Sequence, residues 1–223
     1  MKKIINVAID GPGGAGKSTV AKAAAKELGL IYVDTGALYR AVGVGALKNG
    51  LDTKDAASVT EMLTDTEVGL KYIDGVQHVF LNGEDVSEII RTPDASMAAS
   101  NVSAIQAVRD FLFDTQRNIA KNNSCVMDGR DIATVVLPDA QVKIFLTASA
   151  EVRAQRRFLE LKEKGSDEPY EKVLAELLER DYQDSHREIA PLKPAEDSVT
   201  VDTSEMSLEQ SISTVVNLIK EKM

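Results

Sequence analysis

The chain has 223 residues, 43% of them hydrophobic and 27% charged, with a formal net charge of −9. That length suits one globular domain with insertions, and the acidic balance excludes a general nucleic-acid or anionic-membrane surface. One cysteine, Cys125, and two histidines, His78 and His186, exclude an intramolecular disulfide, a cysteine metal cluster and an ordinary zinc site.

The opening segment "MKKIINVAIDG" has no signal-peptide cleavage region, and no later stretch approaches the ~18 apolar residues of a membrane span. The expected compartment is therefore the cytoplasm. Residues 3–9, "KIINVAI", form a β-branched apolar run ending in Asp10 and Gly11, the pattern of a strand buried on both faces. "KSTVAKAAAKEL" (17–28) is rich in helix formers, and Gly29 stands where a helix stop belongs. Between them lies "GPGGAGKST", comprising Gly11, Pro12, Gly13, Gly14, Ala15, Gly16, Lys17, Ser18 and Thr19. Gly11-x-x-x-x-Gly16-Lys17-Ser18 is a full Walker A pattern. Its glycines let successive backbone N–H groups turn toward phosphate oxygens, and the following helix adds its positive end. Lys17 is placed to reach the outer phosphates, and Ser18 to offer Mg²⁺ a ligand. The plain alternative, a glycine turn between strand and helix, does not account for the complete pattern.

Further short strands are predicted at 30–34, 124–128, 142–148 and 198–202, with helices at 37–48, 104–122, 151–164, 169–187 and 207–222. The alternation predicts an α/β fold, a five-stranded parallel sheet flanked by helices within one domain, 1–223. Residues 66–92 break the rhythm. They alternate apolar and polar residues around Asp74-Gly75 and Asn82-Gly83, which predicts a small antiparallel insertion. A charged helix–loop–helix over roughly 153–175 is expected to act as a lid. Asp10, Asp34 and Asp128 each end a predicted strand, so they are expected to converge beyond the carboxyl edge of the sheet.

The Walker loop does not say where the phosphoryl group goes. Ten arginines are present, and most fall in four stretches: "DTGALYR" with Arg40, "DGRD" with Arg130, "EVRAQRR" with Arg153, Arg156 and Arg157, and "ERDYQDSHR" with Arg180 and Arg187. Taken singly, each has an ordinary reading as a surface helix residue, a β-turn or a salt-bridge ladder. Together they supply planar forks for a second, anionic substrate opposite the triphosphate. Cys125 reads as a buried strand residue, His78 and His186 as surface residues, and Tyr39 as either core or acceptor packing.

At this point the residues resemble a known family, the bacterial cytidylate kinases. The shared strings are "IDGPGGAGKST", "DTGALYRA", "GEDVSEIIRT", "MDGRDIATVVLPDAQVKIFLTAS", "RRFLELKEKG" and "ERDYQDSHREIAPLKPA", which together span nearly the whole chain. The resemblance implies transfer of the γ-phosphoryl of ATP to CMP or dCMP with Mg²⁺. It implies that Lys17, Arg40, Arg130 and Arg187 carry catalysis, with the last three gripping the CMP phosphate. Ser100, Arg109 and Asp131 would read cytosine, Asp184 and Arg180 would lie near the ribose, and Thr35 would line the CMP site. Arg153, Arg156 and Arg157 would serve ATP from the lid. It also implies a monomer. Asp34 and Asp128 could hold Mg²⁺ waters. Gly13 stands where many members have serine, and Thr35 where some do.

The nearest rivals are other small-molecule kinases, for UMP/CMP, AMP or shikimate. A regulatory ATPase with a protein partner and an RNA-binding assembly factor are different classes. The arginines of "DGRD" and "ERDYQDSHR" favour an acceptor phosphate over both, and the acidic balance speaks against RNA.

Overall fold

The computed structural model describes residues 4–223. The chain forms two compact units, one containing the segment up to Tyr32 together with Asn123–Met223, the other containing Val33–Asn122.

The first unit is built on the parallel sheet. Its strands are β1 (Asn6–Asp10), β2 (Ile31–Asp34, where the chain leaves the unit), β6 (Cys125–Gly129), β7 (Val142–Thr147) and β8 (Val199–Asp202), in spatial order β2-β6-β1-β7-β8. β1 pairs with both β6 and β7, and Asp10 lies opposite Gly129. β1 is therefore central, and the order of strands reverses around it. Ligands gather beyond the carboxyl ends of strands at such a reversal. Val7, Ala8 and Ile9 are inaccessible to solvent, as the uninterrupted apolar run predicts. Helix α1 (Lys17–Leu28) contributes Val20, Ala21, Ala24 and Ala25 to the same core as Val215, Val216 and Ile219 of α8 (Leu208–Lys220). A capping box between Ser207 and Gln210 starts α8. Helices α6 (Ala150–Glu163) and α7 (Tyr170–His186) form the expected helix–loop–helix, with Phe158 and Tyr170 meeting edge to face at 6.0 Å.

The second unit contains α2 (Thr35–Lys48), the short α3 (Ala56–Met62), strands β3 (Val68–Ile73), β4 (Val76–Leu81) and β5 (Glu84–Asp85), and helices α4 (Pro93–Val102) and α5 (Gln106–Asn122). The three strands form the antiparallel sheet expected at 66–92. Both predicted turns have paired positive φ angles, 51° and 76° at Asp74-Gly75 and 50° and 82° at Asn82-Gly83. Those are the mirror-image turns that match strand twist. Sequence periodicity did not predict α3 or α4. α3 is seven residues long, and α4 announces itself only by its cap, Thr92 followed by Pro93. α4 packs on α2 at Gly43, where a Cβ would lie 2.8 Å from that of Ala98.

Candidate active site

The carboxyl edge of β1, β6 and β7 assembles the phosphate end within the first unit. Gly11 has φ 149°, and a Cβ there would collide with the Leu146 carbonyl oxygen of β7, so no other residue fits. Gly14 and Gly16 also have positive φ, 73° and 84°, and α1 begins without a side-chain cap. The amides at its start are thereby left for a ligand. Lys17 is buried and donates from Nζ to the Pro12 carbonyl at 2.7 Å, folded over its own loop. Burial, with Arg130 and Arg180 nearby, holds its pKa well below the usual lysine value against the opposing pull of Asp128 and Asp10. Ser18 Oγ donates to Asp128 Oδ2 at 2.8 Å.

Opposite the loop stands a group of charges from β6 and α7. A Cβ added to Gly13 would lie 3.8 Å from both Arg130 Nη2 and Arg180 Nη1, so the two guanidinium groups face the phosphate loop directly. Arg130 Nε donates to Asp184 Oδ2 at 3.0 Å and its Nη1 to the Gly129 carbonyl at 3.2 Å. Arg187 reaches Asp131 Oδ1 at 3.5 Å and donates from Nε to the Ala190 carbonyl at 2.7 Å. Burial pushes the Asp184 carboxyl upward, but the charges of Arg130, Arg180 and Arg187 outweigh it and hold its pKa below the ordinary value. Three arginines thus surround Asp184, with a second carboxylate, Asp131, beside Arg187. That is the electrostatic condition of a site that accepts phosphate.

The three arginines of α6 are placed differently from one another. Arg153 is buried at the start of α6 and donates to the Ala148 carbonyl at 2.8 Å, the Gly13 carbonyl at 3.0 Å and Asp181 of α7 at 2.6 Å. It braces the phosphate loop from behind. Arg156 binds Thr203, past β8, through its hydroxyl at 3.1 Å and its carbonyl at 2.8 Å. Arg157 pairs with Glu160 at 2.9 Å on the helix surface. Helical spacing put all three near one face; it could not show that one would turn inward to backbone carbonyls.

Of the aspartates expected to end strands, Asp10 ends β1, whereas Asp128 is the last but one residue of the neighbouring β6, and the two have different tasks. Asp10 is buried and accepts the Ile132 and Ala133 amides at 2.8 and 2.7 Å. Burial raises its carboxyl to about 7 despite those two donors.

Within the second unit, Asp34 caps α2 by accepting the Ala37 amide at 2.9 Å and holds Arg40 Nη2 at 2.7 Å. Arg40 Nε is buried with no partner among the described residues. Gln77 of the hairpin fixes the end of β2, accepting the Asp34 amide at 3.0 Å and donating to its carbonyl at 3.3 Å. No sequence signal marked Gln77. Thr35 is buried in the first turn of α2. Arg109 of α5 is buried, donates to the Ser103 carbonyl at 3.3 Å and lies 5.8 Å from the Tyr39 ring. Ser103 in turn donates to the Ser100 carbonyl at 2.8 Å, which brings Ser100 and Arg109 into one cluster.

The residues with bland readings behave as expected. Cys125 is fully buried, and burial pushes its thiol up to about 12. His78 pairs with Asp85 on the hairpin at 2.7 Å, and His186 stacks on exposed Tyr182.

The family model of cytidylate kinase matches residues 7–221. The chain belongs to the cytidylate kinase family. A cytidylate kinase of Caldicellulosiruptor bescii is 53% identical over 98% of this chain and 96% of its own length. That of Ligilactobacillus salivarius is 50% identical over the whole of this chain and 99% of its own. Membership makes the protein a nucleoside monophosphate kinase, which uses ATP. A solved structure of an uncharacterised protein from Eubacterium ventriosum shares the fold, with a TM-score of 0.52 at 14% identity over 98% of this chain and 99% of that one. Among the described residues no helix is long and apolar enough to cross a membrane.

Proposed function

We propose that this chain transfers the γ-phosphoryl group of ATP to CMP and dCMP, yielding ADP and the pyrimidine nucleoside diphosphate. The observation that carries the reading is the approach of Arg130 and Arg180 to the phosphate loop at Gly13. Two polyanions brought together need that density of guanidinium groups.

In this reading the amides of Gly11–Ser18 cradle the triphosphate. On its arrival Lys17 leaves the Pro12 carbonyl for the outer phosphates. Arg130 and Arg187 hold the acceptor phosphate, and the family resemblance gives Arg40 the same task. Arg40 Nε, a buried donor without a partner among the described residues, is suited to that task. Asp131 accepts from the cytosine amine, while Ser100 and Arg109 meet the remaining base edge. Uracil reverses that donor pattern and would set a carbonyl against Asp131, leaving buried groups unpaired. Asp184 and Arg180 act near the ribose, Thr35 lines the CMP site, and α6 and α7 form the lid.

Ser18 Oγ and Asp128 Oδ2 are hard oxygen donors 2.8 Å apart, and no cluster of three or more acidic, histidine or cysteine side chains able to hold a metal exists among the described residues. The pair fits Mg²⁺ carried in with ATP, where Ser18 would be a direct ligand and Asp128 would bind through water. Bound there, the ion neutralises phosphate charge. The chain's own contribution is alignment and charge stabilisation. The acceptor phosphate is already nucleophilic, so no strong general base is required. The enzyme would act as a cytoplasmic monomer without a nucleic-acid partner.

The test is ADP release with ATP–Mg²⁺ and CMP, dCMP, UMP, AMP or shikimate in turn. CMP and dCMP should stimulate turnover most. Absence of stimulation by CMP would overturn the proposal.

A further inference from the structure

We infer that Asp10 is a positioning residue for the acceptor, holding the Arg130–Asp131 turn in its base-reading form; this rests on the CMP reading above. Asp10 immediately precedes Gly11, yet both of its carboxylate oxygens are committed to the amides of Ile132 and Ala133, outside the phosphate loop.

Those amides open a π-helical turn, Ile132–Val136, that follows Asp131 directly. The first amides of any helical turn have no partner inside it, and the Asp131 side chain does not cap this one. Asp10 supplies the cap from another strand. The Asp131 carbonyl is then pinned from inside the turn, accepting the Val135 and Val136 amides at 2.9 and 3.2 Å. Asp131 is therefore fixed by bonds to its own carbonyl and by the capped amides that follow it. The β1–β6 register places Asp10 opposite Gly129, so the cap also sits against the start of "GRD". Two adjacent buried N–H groups need two acceptors, and a carboxylate is the smallest side chain with both. Asn would turn an NH₂ toward one of them. The charged groups that act on Asp10 are Asp131 and Lys17.

The test uses the full chain, with steady-state kinetics on CMP, UMP and ATP for Asp10→Asn, Asp131→Ala and the double variant. Asp10→Asn should raise the KM for CMP at least tenfold and lower the CMP-over-UMP preference at least fivefold, with the KM for ATP within threefold of the parent. Because Asp10 acts through Asp131, adding Asp10→Asn to Asp131→Ala should change selectivity less than twofold. Equal losses for CMP and ATP, unchanged selectivity, or fully additive effects would each overturn the inference. Should Asp10→Asn fail to fold, amide exchange in the parent decides. CMP should slow exchange at Ile132 and Ala133 at least tenfold, and no slowing would refute it. A parent that ignores CMP would remove the functional reading itself. A CMP-selective parent with an indifferent Asp10→Asn would remove this inference alone.

Discussion

Replacing Asp184 by Asn tests whether its charge holds the arginine cluster together. Asp184 is 3% exposed, and its Oδ2 accepts from Arg130 Nε at 3.0 Å while Arg180 and Arg187 act on it electrostatically. Asn keeps the shape and removes the charge. Removing one partner of a buried ion pair costs about 3–5 kcal/mol, because the other charge stays buried without compensation. For a chain of this size each kcal/mol moves Tm by about 2–4 °C, so Tm should fall by about 6–20 °C. The assay is calorimetric unfolding of parent and variant at neutral pH and low salt, with and without inorganic phosphate. Phosphate should raise the variant's Tm more than the parent's, since it returns negative charge to the arginines. The carboxyl's pKa is depressed in the folded state, so its stabilisation is present above the unfolded value and is lost as pH falls through the lower folded one. The gap between parent and variant should therefore close below pH ~4. A loss under about 1 kcal/mol, or an equal phosphate effect on both proteins, would refute the reasoning.

Lys17 should take up a proton as ATP binds, because the triphosphate restores a pKa that burial and nearby arginines depress. ATP affinity should rise as pH falls between the bound and free values, and calorimetry in buffers of different ionisation enthalpy should register the uptake. Asp131→Ala should raise the KM for CMP at least tenfold while the KM for ATP changes less than threefold; an equal rise in both would make Asp131 structural. Arg153→Met keeps the buried stem but removes the bonds to Gly13, Ala148 and Asp181. It should cost about 2–4 kcal/mol in stability and raise the KM for ATP more than that for CMP, as steady-state kinetics with thermal unfolding would show.

How legible each part was depends on how local its cause is. Gly11, Gly14 and Gly16 are required by backbone conformation, and Asp74-Gly75 and Asn82-Gly83 by turn type. Such requirements are met within a few residues and can be read in order along the chain. The α/β alternation follows from strands buried on both faces and helices buried on one. α4 escaped because Thr92-Pro93 marks its start but Ser103 and Ala104 break the periodic pattern before α5 begins.

The arginines show the other limit. Sequence determined that the chain holds a phosphate loop and a supply of guanidinium groups in the pattern of cytidylate kinases. Only tertiary structure decided how they are used. Arg130 and Arg180 face Gly13, whereas Arg153 is turned inward onto backbone carbonyls. Asp10 caps a turn 122 residues away in the chain. Hydrogen-bond partners far apart in sequence are selected by which strand ends become neighbours, and the sheet order β2-β6-β1-β7-β8 sets that. A side chain's chemistry is written in its residue type; its task is set by what the fold brings within about 3 Å of it.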